Sequence, residues 1–284
     1  MVRSSLIGVF LFFSGFVVKA QTSNSLLWEI SGNGLSKPSY LYGTIHLIAQ
    51  DDFFVRKEID SVFNLCEQLA FEIKLDDPAI LQLYQDWILL PSGKTLKDFC
   101  TEEEYQILKQ YLLDSAKTDI ETIMDQKPFM LTQLQISDYI TGQPASFEIY
   151  FFQESIKKNV PVFGLENLQD ELDLLDVIPY EEQIDMVINN IKSSSQNQKT
   201  WDELIAAYKE EDIDKLYEIS LDVTPELIKY ENLFLDNRNI KWIPVIDTLI
   251  KERSTFIAVG AAHLSGENGV IQLLKNQGYI LKKL

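Results

Sequence analysis

The sequence predicts an α/β (α+β) fold: a small mixed β-sheet core in two related halves, covered by many helices. Three observations lead there. Short apolar runs rich in β-branched and aromatic residues, at 26–30, 39–46, 69–75, 160–165, 256–260 and 279–282, alternate with longer stretches of helical periodicity. Two of those runs close alike, with glycine, two small or apolar residues and then histidine: Gly43-Thr44-Ile45-His46 and Gly260-Ala261-Ala262-His263. These are the only 2 histidines of the chain, so the echo is not a by-product of a histidine-rich composition. Finally, 284 residues at 46% hydrophobic and 24% charged are enough for one large domain with a sizeable core.

Residues 1–20 read as a secretory signal peptide. Arg3 supplies a basic start, and 6–18 is apolar but short of the roughly 18 residues a membrane span needs. Val18-Lys19-Ala20 places small residues where cleavage requires them. Cleavage after Ala20 leaves a domain at 21–284, exported to the periplasm or the exterior, with no stable membrane span; an uncleaved anchor is the alternative. Loss of Arg3 and Lys19 takes the net charge from −18 to −20. With that charge and no basic run, phosphate-backbone binding is set aside, and nucleic acid is not an expected partner. Cys66 and Cys100 lack the spacing of a zinc site or redox motif, and their pairing is left open, as is the oligomeric state.

Along the chain, the first strand turns at Ser31-Gly32-Asn33-Gly34 into the strand that ends at His46. Asp51-Asp52 can cap a helix over 53–66, where Val55, Ile59, Val62, Phe63 and Cys66 recur at helical spacing. The strand at 69–75 embeds Glu72 among apolar neighbours. Residues 77–145 read as a helical insertion, broken at Pro91-Ser92-Gly93 and restarted by the capping box Thr101-Glu102-Glu103-Glu104. A helix over 147–158 leads to the strand at 160–165, with Glu166 just past its end. Helices fill 168–253: Pro179 opens one, the polar run 193–200 interrupts, Trp201 restarts, and Pro244 kinks or restarts the last. Strand, helix and strand at 256–260, 268–276 and 279–282 complete the pattern.

The chemistry rests on few residues. Open α/β sheets place ligands at the C-terminal ends of strands, which is where both histidines fall. Glu72 is costly to bury unpaired, or else lies on a solvated strand face. Glu166 follows Gly164-Leu165 and suits either a site or a helix N-terminus. Two histidines and two carboxylates form a ligand set that a divalent transition metal prefers. There is no Gly-x-Ser-x-Gly elbow, no His-Glu-x-x-His and no phosphate-cradling glycine loop.

The segment from Trp28 through Gly32-Asn33-Gly34 and Pro38-Ser39-Tyr40-Leu41-Tyr42-Gly43-Thr44-Ile45-His46 resembles the opening of the TraB/GumN/PrgY family, which includes the Tiki metalloproteases. So does the end: Val259-Gly260-Ala261-Ala262-His263-Leu264, then Gly266, Gly269-Val270, Leu274 and Gly278-Tyr279. Gly164-Leu165-Glu166 is similar to the family's Gly-Leu-Glu segment, and Arg238-Asn239 to its Arg-Asn pair. Two positions depart from the pattern. Ser146-Phe147-Glu148 stands where Gly-x-Asp is expected, and Glu171 stands in place of a glutamine.

The resemblance implies a metal-dependent, hydrolase-like site using a metal-activated water, with a peptide or small molecule as substrate. Carried onto this sequence, His46 and His263 would ligate a divalent transition metal (manganese, cobalt or zinc) or act as catalytic histidines. Glu72 and Glu166 would be ligand or general base. Arg238 would stabilise developing negative charge, and Asn239 would hold a loop or polarise the same group. Gly43 and Gly260 would supply tight turns. Two alternatives stand beside this: a protein that sequesters a peptide, haem or metal in the same cleft, and a metal-free esterase with a histidine base.

Overall fold

The computed structural model describes residues 25–222 and 230–284; the expected leader lies outside the described residues. Strand β1 (Leu27–Gly32) leads through Gly32, Asn33 and Gly34, all at positive φ, into β2 (Ser39–Thr44). A short β3 (Ile48–Ala49), helix α1 (Lys57–Leu65) and β4 (Gln68–Ile73) follow. Helices α2 (Ile80–Trp87), α3 (Glu102–Tyr111) and α4 (Phe129–Tyr139) precede the short β5 (Pro144–Ala145), α5 (Phe147–Lys158) and β6 (Val162–Glu166). Next come α6 (Leu168–Leu175), α7 (Tyr180–Lys192), α8 (Ser194–Lys209), α9 (Ile213–Asp222) and α10 (Asn237–Glu252). Strand β7 (Thr255–Gly260), α11 (Val270–Asn276) and β8 (Tyr279–Lys283) complete the described chain.

The longer strands form one six-stranded sheet in the order β6-β4-β7-β2-β1-β8. The first four are parallel, while β1 runs antiparallel to both β2 and β8. This is the mixed sheet that the sequence predicts. The central strands β4, β7 and β2 are buried along nearly their whole length, which is why they read as continuous apolar runs instead of alternating ones. Register pairs Thr44 with Gly260 and Ile73 with Glu166, so the C-terminal ends of four parallel strands lie side by side.

Phe147 and Phe151 of α5 pack against Tyr42, Phe63 and Phe256, with centroids 4.8–5.8 Å apart for the Phe151 contacts with Phe256, Phe63 and Tyr42 and the Phe147 contact with Tyr42. Each such ring contributes about 1.5–3 kcal/mol by burial. Trp242, Ile246 and Ile250 of α10 join the same core. The helical segment between β4 and β5 has a smaller core of its own, in which Tyr105 and Leu108 of α3 and Leu131 of α4 are closed off by Ile184 and Val187 of α7.

Several element boundaries differ from expectation. Helix α1 begins at Lys57, with Arg56 at the N-cap and no side-chain cap, and Asp52 pairs with Lys209 instead. The polar run 193–200 interrupts the helix only at Ser193, where α7 ends; α8 restarts at once at Ser194 and not at Trp201, supported by Gln198 donating to Asp202 one turn on and by buried Ile205 and Tyr208 further along. Pro244 neither breaks nor restarts α10. It faces solvent, and Ile240, the residue whose carbonyl loses its partner, is 50% exposed, so water can supply the missing bond. The capping box at Thr101 forms as expected, with both reciprocal bonds to Glu104 present.

Candidate active site

Four strand ends and three helices build the site. Glu72, at the end of β4, is buried and not on a solvated face. Its Oε1 accepts from the Gly260 N–H at 2.7 Å, and its Oε2 from Arg238 Nη2 at 2.6 Å. Glu166, the last residue of β6, accepts from Arg238 Nε at 2.8 Å and from its Nη2. Arg238 enters from the first turn of α10, just after a π-helical turn over Asn232–Asp236, and its Nη1 donates to the Phe234 carbonyl at 3.3 Å. The guanidinium also lies 4.9 Å from the Trp242 ring, a cation–π contact that fixes its plane. Glu171 of α6 stands 3.9 Å from the same Nη2.

The histidines converge on Gly260. A methyl group on that glycine would lie 3.3 Å from Glu72 Oε1, 3.6 Å from His263 Cδ2 and 3.7 Å from His46 Nε2. His263 is buried against Trp242, ring centroids 4.5 Å apart, while the His46 side chain is 68% exposed. Each ring is held at Nδ1. Asn239 donates through Nδ2 to the carbonyls of Asn268 (2.9 Å) and His263 (3.4 Å), which turns its Oδ1 toward His263 Nδ1 at 2.7 Å. An amide oxygen only accepts, so His263 carries its proton on Nδ1 and presents a bare Nε2. His46 Nδ1 lies 3.1 Å from Glu148 Oε1.

The electrostatics separate the two rings. Burial pushes His263 down to about 3, the nearby Arg238 charge adding to it and outweighing the opposite pull of Glu72. For His46, desolvation opposes the charged form, but the hydrogen bond and charge of Glu148, with Glu72 and Glu171 behind it, raise the ring above its ordinary value. Burial alone would raise Glu72, yet His263 when it is protonated, the Arg238 guanidinium and the Gly260 N–H hold it down to about 2.

A carboxyl whose folded pKa lies below its ordinary 4.5 contributes stability that is complete above that value and is lost as pH falls through about 2. Urea midpoints measured down the acid range are expected to fall in that window, and Glu72→Gln should flatten that part of the curve. An unchanged acid limb in the variant would remove Glu72 from the account.

The structure thus gathers His46, His263, Glu72, Glu166, Arg238 and Asn239 at one place. Gly43 and Gly260 differ from the expected turn role. Neither has positive φ, and what excludes a side chain is space. At Gly43 a methyl would meet Leu264 Cδ2 at 3.0 Å and Ala261 Cα at 3.1 Å. Glu148 and Glu171 also belong to the cluster, and sequence reasoning gave them no role. Their signal was present as the two departures from the family pattern.

Among the described residues, no group of three or more His, Cys, Asp or Glu side chains is gathered so that it could hold a metal ion. Arg238 takes up Glu166 and one oxygen of Glu72, and the Gly260 N–H takes the other. The donor types present, two imidazole Nε2 atoms and the Glu72 carboxylate, are ones a divalent ion takes, although Arg238 Nη1 lies 3.4 Å from His263 Nε2. Cys66 and Cys100 are free thiols, and no helix among the described residues is long and apolar enough to cross a membrane.

Similar proteins carry one name. The chain is 24% identical to metalloprotease TIKI1 of Danio rerio over 90% of its own length and 62% of that protein's. It is 22% identical to metalloprotease TIKI2 of Xenopus tropicalis, covering 90% and 59%, and 21% identical to a metalloprotease TIKI homolog of Nematostella vectensis, covering 90% and 66%. The chain therefore spans less than two thirds of the length of these relatives. No solved structure is significantly similar to it. The family model of the TraB/PrgY/gumN family matches residues 26–283, nearly the whole chain, and the protein belongs to that family.

Proposed function

We propose that the chain is an exported, metal-dependent hydrolase that cleaves peptide bonds at the C-terminal ends of β2 and β7. The convergence of His46, His263 and Glu72 on the bare α-carbon of Gly260 carries this reading. The metalloprotease names of its relatives support the reaction, and the leader-like residues 1–20 support export. A divalent ion (manganese, cobalt or zinc) held by His46, His263 and Glu72 would supply Lewis acidity to a peptide carbonyl and to water.

The chain's own residues divide the remaining work. Asn239 holds His263 with its Nε2 turned inward. Glu166 anchors Arg238 through Nε and Nη2, and Nη1 donates to the Phe234 carbonyl and lies 3.4 Å from His263 Nε2; the positive charge held there would stabilise negative charge on a substrate oxygen. Glu72, held low, is a poor proton acceptor. Burial raises the carboxyl of Glu171, the better match for a general base.

The test is metal content of the purified protein after loading, beside His46→Ala and His263→Ala, followed by turnover of a peptide library. Stoichiometric metal in the wild type, lost in both variants, and cleavage of peptides are expected. Metal binding without turnover would make the protein a sequestering one. A folded wild type that takes up no ion would end the metal-dependent reading. One observation would then favour a metal-free esterase: the two rings are pushed in opposite directions, giving a neutral His263 as base and a charged His46 as acid.

A further inference from the structure

The two Gly-x-x-His motifs look alike, but what holds each ring does not. His263 is braced by a neutral amide, Asn239 of α10, whereas His46 is braced by a carboxylate, Glu148 of α5. We infer that Glu148 is the positioning residue of His46: it fixes the ring's tautomer and aims its Nε2 at the bare face of Gly260. This deepens the reading of His46 as a site residue and rests on it.

The carboxylate is itself immobilised from three directions. Thr44 Oγ1, at the end of β2 and two residues before His46, donates to Glu148 Oε1 at 2.5 Å. Ser146 Oγ donates to Oε2 at 2.9 Å, and Ser146 Oγ itself accepts from the Ile149 N–H at 3.4 Å to cap α5. Phe147, fully buried, pins the start of that helix against Tyr42 and Tyr208. Glu148 is thus held in the first turn of a helix whose N-terminal dipole favours a carboxylate there.

With Oε1 taken by Thr44 and His46, and Oε2 by Ser146, the side chain has little freedom to leave. A carboxylate only accepts, so the neutral His46 ring must carry its proton on Nδ1. Its lone pair is then on Nε2, the atom 3.7 Å from the point a Gly260 methyl would occupy. An exposed ring would otherwise rotate freely and mix tautomers. Carboxylates that orient a histidine in this way cost about 10–100-fold in metal affinity or activity when removed.

Two histidines in the whole chain make the test direct. Imidazole nitrogen NMR on histidine-labelled full chain, assigned with His46→Ala and His263→Ala and recorded at alkaline pH where both rings are neutral, reads each tautomer. Both rings are expected to hold the proton on Nδ1. In Glu148→Ala the His46 ring should move to a mixture weighted toward Nε2–H while His263 keeps its signal, which also reports that the variant is folded. Glu148→Asp, a carboxylate on a shorter arm, should restore the Nδ1–H form in large part. If a cleaved peptide is found, Glu148→Ala should lower kcat about 10–100-fold with KM little changed, and Glu148→Asp should recover much of it. A His46 ring that carries its proton on Nε2 in the wild type, or that is unmoved in a folded Glu148→Ala, overturns the inference. The tautomer result stands whether or not the protein proves to be a peptidase.

Discussion

Arg238→Ala is expected to lose about 3–5 kcal/mol of folding stability, read as a drop in the urea unfolding midpoint. The magnitude follows from what is left behind, not from what is removed. Arg238, Glu72 and Glu166 have side chains 9%, 11% and 7% exposed, so deleting the guanidinium strands two buried carboxylates without a counter-charge. Each must then protonate or draw in water. Arg238→Lys should fall between: it keeps a positive charge, but a single ammonium cannot span Glu166 and Glu72 as Nε and Nη2 do. The same logic gives the control. Converting Glu72 and Glu166 to glutamine in the Arg238→Ala background should return part of the lost stability, because a buried amide costs less than a buried charge. If Arg238→Ala unfolds within about 1 kcal/mol of the wild type, the cluster is not the dry ion-pair network that its distances describe.

Gly260→Ala is expected to leave the protein folded, with an unfolding midpoint close to that of the wild type, and to reduce turnover by about 100-fold or metal uptake to near nothing. The backbone permits the change, since φ is −52° and ψ 136°, a conformation open to any residue. The new methyl would press 3.3 Å from Glu72 Oε1 and within 4 Å of both imidazoles, in the space that the proposed reaction would use. Gly43→Ala makes the contrast. There the methyl meets Leu26 and Leu264 side chains and the Ala261 backbone at 3.0–3.1 Å, an overpacked core costing about 1–3 kcal/mol of stability. One glycine guards the site and the other guards the packing behind it. Full activity in Gly260→Ala would mean that the space between the two rings is not where chemistry happens.

The sequence by itself determined the mixed α/β class, the six longer strands and the pairing of His46 with His263. Those features are written in local signals: continuous apolar runs for doubly covered strands, helical periodicity between them, and a motif that repeats. It also pointed to Glu72 and Glu166, as carboxylates in or just past apolar strands, and to Arg238 and Asn239 through a resemblance spread over most of the chain. What only the tertiary structure decided is how those residues divide the work. Glu166 and half of Glu72 are spent on Arg238, a pairing that joins two strand ends to a helix 72 and 166 positions further along, respectively, and that no local pattern encodes. Glu148 and Asn239 became the two braces of the histidines because α5 and α10 each bring a helix turn to the strand ends. Pro244 stayed inside a helix for the complementary reason: packing of Trp242, Ile246 and Ile250 into the core outweighs one missing hydrogen bond on the solvent side. Local chemistry sets which elements can form; long-range packing and charge pairing set which side chains are left free to act.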